Sequence, residues 1–169
     1  SIWRHVGKGT FIASTEPKSG SGSLAELITK VTPITLMRSR LSLEPAIARE
    51  AAIHAAGDAV SNLTMIGQRT QAADNWEDYE LFDDQFHRAI GIATDNPLLL
   101  SLFDHLNAVR RGVAWKTVVR SSVRPAFDHT SFAEHDQILA AIEARDPSAA
   151  HASMRTHLVS VSNRLFGDA

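Results

Sequence analysis

Four polar residues on three predicted helices constrain this chain more than anything else in it. Asp83 and His87 in Phe82-Asp83-Asp84-Gln85-Phe86-His87, His135 in Phe132-Ala133-Glu134-His135-Asp136-Gln137-Ile138-Leu139, and His157 in Met154-Arg155-Thr156-His157-Leu158 each lie on the stripe that their apolar neighbours turn inward. A buried polar group left without a partner costs about 1–3 kcal/mol, and a charged one more. Any fold of this sequence therefore has to supply partners. Asp83 and His87, four apart, sit one turn apart and about 40° around a helix axis, so both can reach one ion. The stretch from His135 to His157 fits one helix out, a tight turn at Pro147 and one helix back, which can bring both imidazoles to one level of a bundle. A shared divalent cation would satisfy all four side chains. For any single histidine the ordinary alternative is a hydrogen-bonded core residue. His5, His54, His105, His129 and His151 lie off these stripes and read as structural or solvent-facing.

The chain contains no cysteine, which excludes disulfides and thiolate ligands and leaves nitrogen and oxygen donors for a metal. Three imidazoles disfavour Mg²⁺ and Ca²⁺, whereas Zn²⁺, Ni²⁺, Mn²⁺, Fe²⁺ and Co²⁺ accept such a set. An ion preferring six ligands keeps open positions for water in an enzyme or for the carboxylate of a small molecule in a sensor. A metal-dependent hydrolase or oxygenase acting on a small organic acid is thus the alternative reading. A hydrolase, however, needs a general base beside the metal-bound water, and Glu134 and Asp84 point about 100° away from the ligands they adjoin. A purely structural staple is the third reading.

With 169 residues and 44% hydrophobic content the chain supports one core rather than two large ones. Its formal charge of -2 gives no strong attraction to nucleic acid or anionic lipid. No apolar run reaches the roughly 20 residues that span a bilayer, and Ser1-Ile2-Trp3-Arg4-His5 lacks the apolar core of a signal peptide, so the expected location is cytoplasmic.

Residues 1–14 differ from the rest, with Gly7-Lys8-Gly9 between two short extended stretches, a hairpin signal. Residues 15–23 are a polar linker. From 24 to 169 the pattern is helical: about Leu24–Val31, Ile34–Ala56 with a kink or restart at Pro45, Ala59–Ala73, a ligand-bearing helix after Asn75 that ends at Asp95-Asn96-Pro97, Pro97–Val119, Ala126–Ala144, and a last helix from Pro147 to about Phe166. The expected fold is all-α, an antiparallel bundle of six or seven helices behind a short hairpin remnant.

These motifs resemble the effector-binding and oligomerisation domain of FadR-type regulators in the GntR superfamily, the FCD domain. The resemblance runs over about residues 24–166. It is carried by Arg40-Leu41-Ser42-Leu43-Glu44-Pro45, Phe82-Asp83-Asp84-Gln85-Phe86-His87, Ala93-Thr94-Asp95-Asn96-Pro97-Leu98, Glu134-His135-Asp136-Gln137-Ile138-Leu139-Ala140-Ala141-Ile142 and Met154-Arg155-Thr156-His157-Leu158. Val6-Gly7-Lys8-Gly9-Thr10-Phe11-Ile12 is similar to the end of the wing in the family's winged helix-turn-helix. The resemblance implies a divalent metal held by Asp83, His87, His135 and His157, a small carboxylate effector above it, and a homodimer that binds operator DNA through an N-terminal domain of which most is missing here. Arg40 is the expected grip on the effector, since a guanidinium can hold a carboxylate through two parallel hydrogen bonds. Its ordinary alternative is a surface ion pair with Glu44. Trp115 is the second expected lining residue, with packing between helices as its alternative.

Overall fold

The computed structural model describes residues 23–113 and 122–167. The expected hairpin, all of the linker except Ser23, and Trp115 lie outside the described residues. Among the described residues seven helices follow one another without a strand: α1 (Leu24–Lys30), α2 (Pro33–His54), α3 (Gly57–Gln71), α4 (Trp76–Ala93), α5 (Pro97–Gly112), α6 (Thr130–Glu143) and α7 (Pro147–Phe166). None of these helices is long and apolar enough to cross a membrane.

Local chemistry sets most of the helix starts. Thr32-Pro33, Asn96-Pro97 and Asp146-Pro147 each pair a capping side chain with a proline at the first helical position, where the missing N–H has no helical partner to lose. Asn96 Oδ1 accepts from the amides of Leu98 and Leu99, and Asp146 Oδ1 from those of Ser148 and Ala149. Asp95 and Arg145, just before these two caps, adopt φ values of 50° and 53°, the left-handed conformation that reverses the chain in a few residues. Arg145 also donates to the carbonyls of Ile53 and Ala55, supplying partners that the end of α2 lacks. Ser23 and Glu26 close a capping box on α1, so the last linker residue belongs to the helical domain.

Helix α2 is the axis of the bundle and packs against α4, α5, α6 and α7, while α3 covers α4 and α6. The main core joins Met37, Ile47, Ala48, Ala51, Leu63, Phe86, Ile90, Ile138, Ile142, Met154 and Leu158. The alanine-rich half of α2 lets α7 approach closely. A second, smaller cluster of Leu36, Val109 and Val113, with Leu27, Val31 and Leu106 against it, attaches α1 and the end of α5 to α2.

Two expectations about helix limits need correction, and one of the alternatives at Pro45 falls away. Helix α2 continues through Pro45 without a restart. Helix α5 stops at Gly112, with Val113 extended, rather than running to Val119; a methyl group at Gly112 would collide with Ile28 of α1, so the two helices meet closely here. Helix α6 starts at Thr130, four residues later than expected, because the His129 ring accepts from the Ser131 amide and caps it.

Candidate functional site

The bundle brings Asp83, His87, His135 and His157 together. One donor atom from each lies within 4.8 Å of all the others. Helix α4 contributes Asp83 and His87 from adjacent turns, α6 contributes His135, and α7 contributes His157. The Nε2 atoms of His87 and His157 face each other at 3.2 Å, and His135 Nε2 is 3.3 Å from Asp83 Oδ1. All three imidazoles are buried, with His157 only 1% exposed.

Two of the histidines are oriented by carboxylates that the sequence reading did not assign to this task. Glu44 Oε2 lies 2.6 Å from His87 Nδ1, and Glu134 Oε2 lies 2.7 Å from His157 Nδ1. A carboxylate on Nδ1 favours the tautomer with its proton there, which leaves the Nε2 lone pair aimed into the cluster. His135 is different. Its ring stacks on Phe86 at 4.4 Å, and both of its nitrogens are buried: Nε2 meets only Asp83 Oδ1, at 3.3 Å and without good hydrogen-bond geometry, and Nδ1 has no hydrogen-bond partner among the described residues. An orphaned buried imidazole costs free energy that a cation would remove.

The electrostatics favour lone-pair donation by His157 and Asp83. Burial, reinforced by the neighbouring rings of His135 and His87, lowers the His157 imidazole to about 4 despite the opposing hydrogen bond to Glu134. It is therefore neutral at physiological pH. Burial works to raise the Asp83 carboxyl, but the imidazoles of His135, His87 and His157 outweigh it and hold the group well below the ordinary carboxylate range. Glu44 follows the same pattern, with burial opposed and overcome by Arg40 and His87.

Beside the cluster a small pocket is lined by Arg40 and Glu44 from α2, Asp83, Asp84 and His87 from α4, and Phe103, Leu106, Asn107 and Arg110 from α5. Its free space is about 10 Å³, close to that of one water molecule. Arg40 does pair with Glu44, through Nε to Oε1 at 2.6 Å, but both side chains are buried at 7% and 4% exposure, so this is not the surface ion pair weighed from the sequence. Glu44 thus links Arg40 to His87. Glu134, considered as a general base, instead serves His157, and Asp84 pairs with Arg110 and Arg111.

Sequence reasoning missed Glu44 and Glu134 as orienting groups, and Arg110 and Asn107 as pocket residues. A signal existed for the last two: both share the inward stripe of α5 with Phe103, and a charged or amide side chain on such a stripe needs a reason to be there. The other described histidines stay apart from the cluster. His54, His105 and His151 are exposed, and His129 caps α6.

Comparison with known proteins extends over nearly the whole chain. Residues 35–160 match the FCD domain. The chain is 30% identical over 163 residues to the Uxu operon regulator of Haemophilus influenzae, covering 95% of this chain and 60% of that protein. It is 26% identical over 164 residues to the Exu regulon transcriptional regulator of Escherichia coli, covering 96% and 63%. The HTH-type transcriptional repressor NanR of Salmonella arizonae is 31% identical over 128 residues, with 73% and 46% covered. The chain therefore spans about 60% of the length of the first two of these regulators. Among solved structures, Escherichia coli McbR/YncC shares the fold with a TM-score of 0.69 at 19% identity, over 80% of this chain and 66% of that one. Streptococcus agalactiae GntR gives 0.60 at 25% identity, over 85% and 61%.

Proposed function

The chain belongs to the FCD domain family, and from that premise we propose that it is the ligand-sensing domain of a GntR-type transcriptional regulator, binding a divalent transition metal and a small organic acid. The observation that carries this reading is the set of four donor atoms lying within 4.8 Å of one another, among which the buried His135 makes no well-formed hydrogen bond. Asp83, His87, His135 and His157 would hold the ion, which is zinc, nickel, manganese or iron by the chemistry of one carboxylate and three imidazoles. Bound there, it would offer open coordination positions to a carboxylate or hydroxyl oxygen of the effector.

The chain's own residues do the rest. Glu44 and Glu134 fix two of the imidazoles by their Nδ1 hydrogens. Arg40, anchored by Glu44, presents a guanidinium to the acid from the pocket wall. Because Glu44 touches both Arg40 and His87, the anion grip and the ligand cluster are coupled mechanically. Helices α2, α4 and α5 all line the pocket, so occupancy changes how they sit on one another. In the intact cytoplasmic protein, a homodimer, that change would reach operator-binding domains ahead of residue 24. A ligand shifts such an equilibrium only by its difference in affinity for the two states.

Sensing is favoured over catalysis because the full-length relatives are regulators by name and because the two carboxylates nearest the cluster in sequence, Asp84 and Glu134, are already committed to arginine and histidine partners. Elemental analysis of the purified chain, followed by calorimetry with a panel of carboxylates before and after chelation, tests the reading. The expected result is one metal per chain and stoichiometric, metal-dependent binding of an acid without turnover. Turnover of the acid, or a metal-free chain that cannot be loaded, would overturn it.

A further inference from the structure

Arg40 is one of two guanidiniums on the pocket wall. Arg110, in the last turn of α5, lines it as well, donating through Nε to Asn107 Oδ1 at 2.8 Å and pairing through Nη2 with Asp84 Oδ1. The second Asp84 oxygen accepts from Arg111 Nη1 at 3.2 Å. Asp84 thus holds two arginines, and only Arg110 of the two lines the pocket.

Free space of about 10 Å³ admits no organic acid, so part of the wall has to move when one enters. The two ion pairs on that wall differ in how readily they separate. Breaking Arg40 from Glu44 would leave the Arg40 guanidinium at 7% exposure without its carboxylate, and would disturb Glu44, which orients His87. Asp84 and Arg110 are 16% and 21% exposed, and Asp84 keeps Arg111 when Arg110 leaves. The second pair is the one that can exchange.

We propose that Arg110 is a second anion-binding group of this pocket, held by Asp84 as an internal stand-in for part of the effector, so that the pocket selects acids carrying two anionic groups. One group is directed to Arg40 and the His/Asp cluster, and the other replaces Asp84 on Arg110. An acid with a single anionic group leaves the Asp84–Arg110 pair in place and has to fit beside it. The exchange also has a direction in the fold. Arg110 lies beside Val109 and Val113, which pack on Leu36, and two residues before Gly112, which packs on Ile28, so a displaced last turn of α5 bears directly on α1.

The inference rests on the pocket being an acid site, and the test separates the two claims. Calorimetry on the metal-loaded chain compares malate with 2-hydroxybutyrate and 2-hydroxyglutarate with 2-hydroxyvalerate, pairs that share an α-hydroxy acid head and differ in the terminal carboxylate. The dianion of each pair is expected to bind at least tenfold more tightly. Asp84→Asn should widen that ratio, and Arg110→Gln should reduce it to near one. Arg110→Lys, which keeps the charge and guards against a folding defect, should give an intermediate ratio, with helical circular dichroism as the check on all three variants. Equal binding within the pairs, or a preference that survives Arg110→Gln, would overturn the assignment of Arg110 and leave the acid site standing. Failure of all four acids to bind would overturn both.

Discussion

The two apolar clusters of the bundle surround different things. The larger one, built from α2, α3, α4, α6 and α7 with Phe103 of α5, encloses the His/Asp cluster; Phe86 is fully buried in it and stacks on His135. The smaller one has three buried members and only joins α1 and the end of α5 to α2. Helix α1 buries no residue completely. The contrast separates a stiff part, where ligand geometry has to be held within tenths of an ångström, from a thin part that can shift without opening the core. Stability is unevenly distributed in this way in proteins generally, and elements that move are drawn from its low end.

That contrast predicts a graded set of effects. Phe86→Ala should be the most damaging, costing about 3–5 kcal/mol by cavity formation alone and also loosening His135. Chemical denaturation would measure it, and a loss below about 1 kcal/mol would mean that the larger cluster is not the stiff one. His135→Ala should abolish metal retention and with it the chelator-sensitive part of the stability, an increment of about 4 kcal/mol when free metal stands a thousandfold above its dissociation constant. Melts with and without chelator, together with elemental analysis, read this directly; unchanged metal content would remove His135 from the ligand set. Glu134→Gln keeps the shape but loses the charge on His157 Nδ1, and should weaken metal binding by roughly 10–100-fold, as measured by competition with a chromophoric chelator.

The smaller effects belong to the thin region and the helix starts. Asn96→Ala removes the acceptor for the first amides of α5 and should cost about 1 kcal/mol in a melt. Ile28→Ala, which empties the contact with Gly112, should cost less than about 1 kcal/mol globally while speeding hydrogen exchange in α1. Equal acceleration across α2 and α4 would show that the two clusters unfold as one.

Helix limits were legible where chemistry is local. Thr32-Pro33, Asn96-Pro97 and Asp146-Pro147 mark their helix starts because a cap and a proline act within four residues. The end of α5 was not legible; it falls at Gly112, where Ile28 approaches from a helix far away in sequence. The start of α6 was misplaced for a related reason: Ala126 and Phe127 suit a helix, but the His129 ring and the Ser131 amide set the first turn. The convergence of Asp83, His87, His135 and His157 could be anticipated because each is a polar residue on an inward stripe. Which carboxylate would meet which imidazole could not, because Glu44 reaches His87 from α2 and Glu134 reaches His157 across the α6–α7 contact.

The amino-acid order alone therefore determined the helical character of the described residues, the places where most helices begin, and the four residues that had to find polar partners in the interior. Periodicity and capping are properties of a few neighbouring residues and survive without knowledge of the fold. The tertiary structure decided the rest: that Glu44 and Glu134 aim the imidazoles, that Arg40 is buried against Glu44, and that Arg110 and Asp84 face each other across α4 and α5. Such pairings depend on how helices cross and how far each is rotated about its axis, quantities set by packing of the whole core.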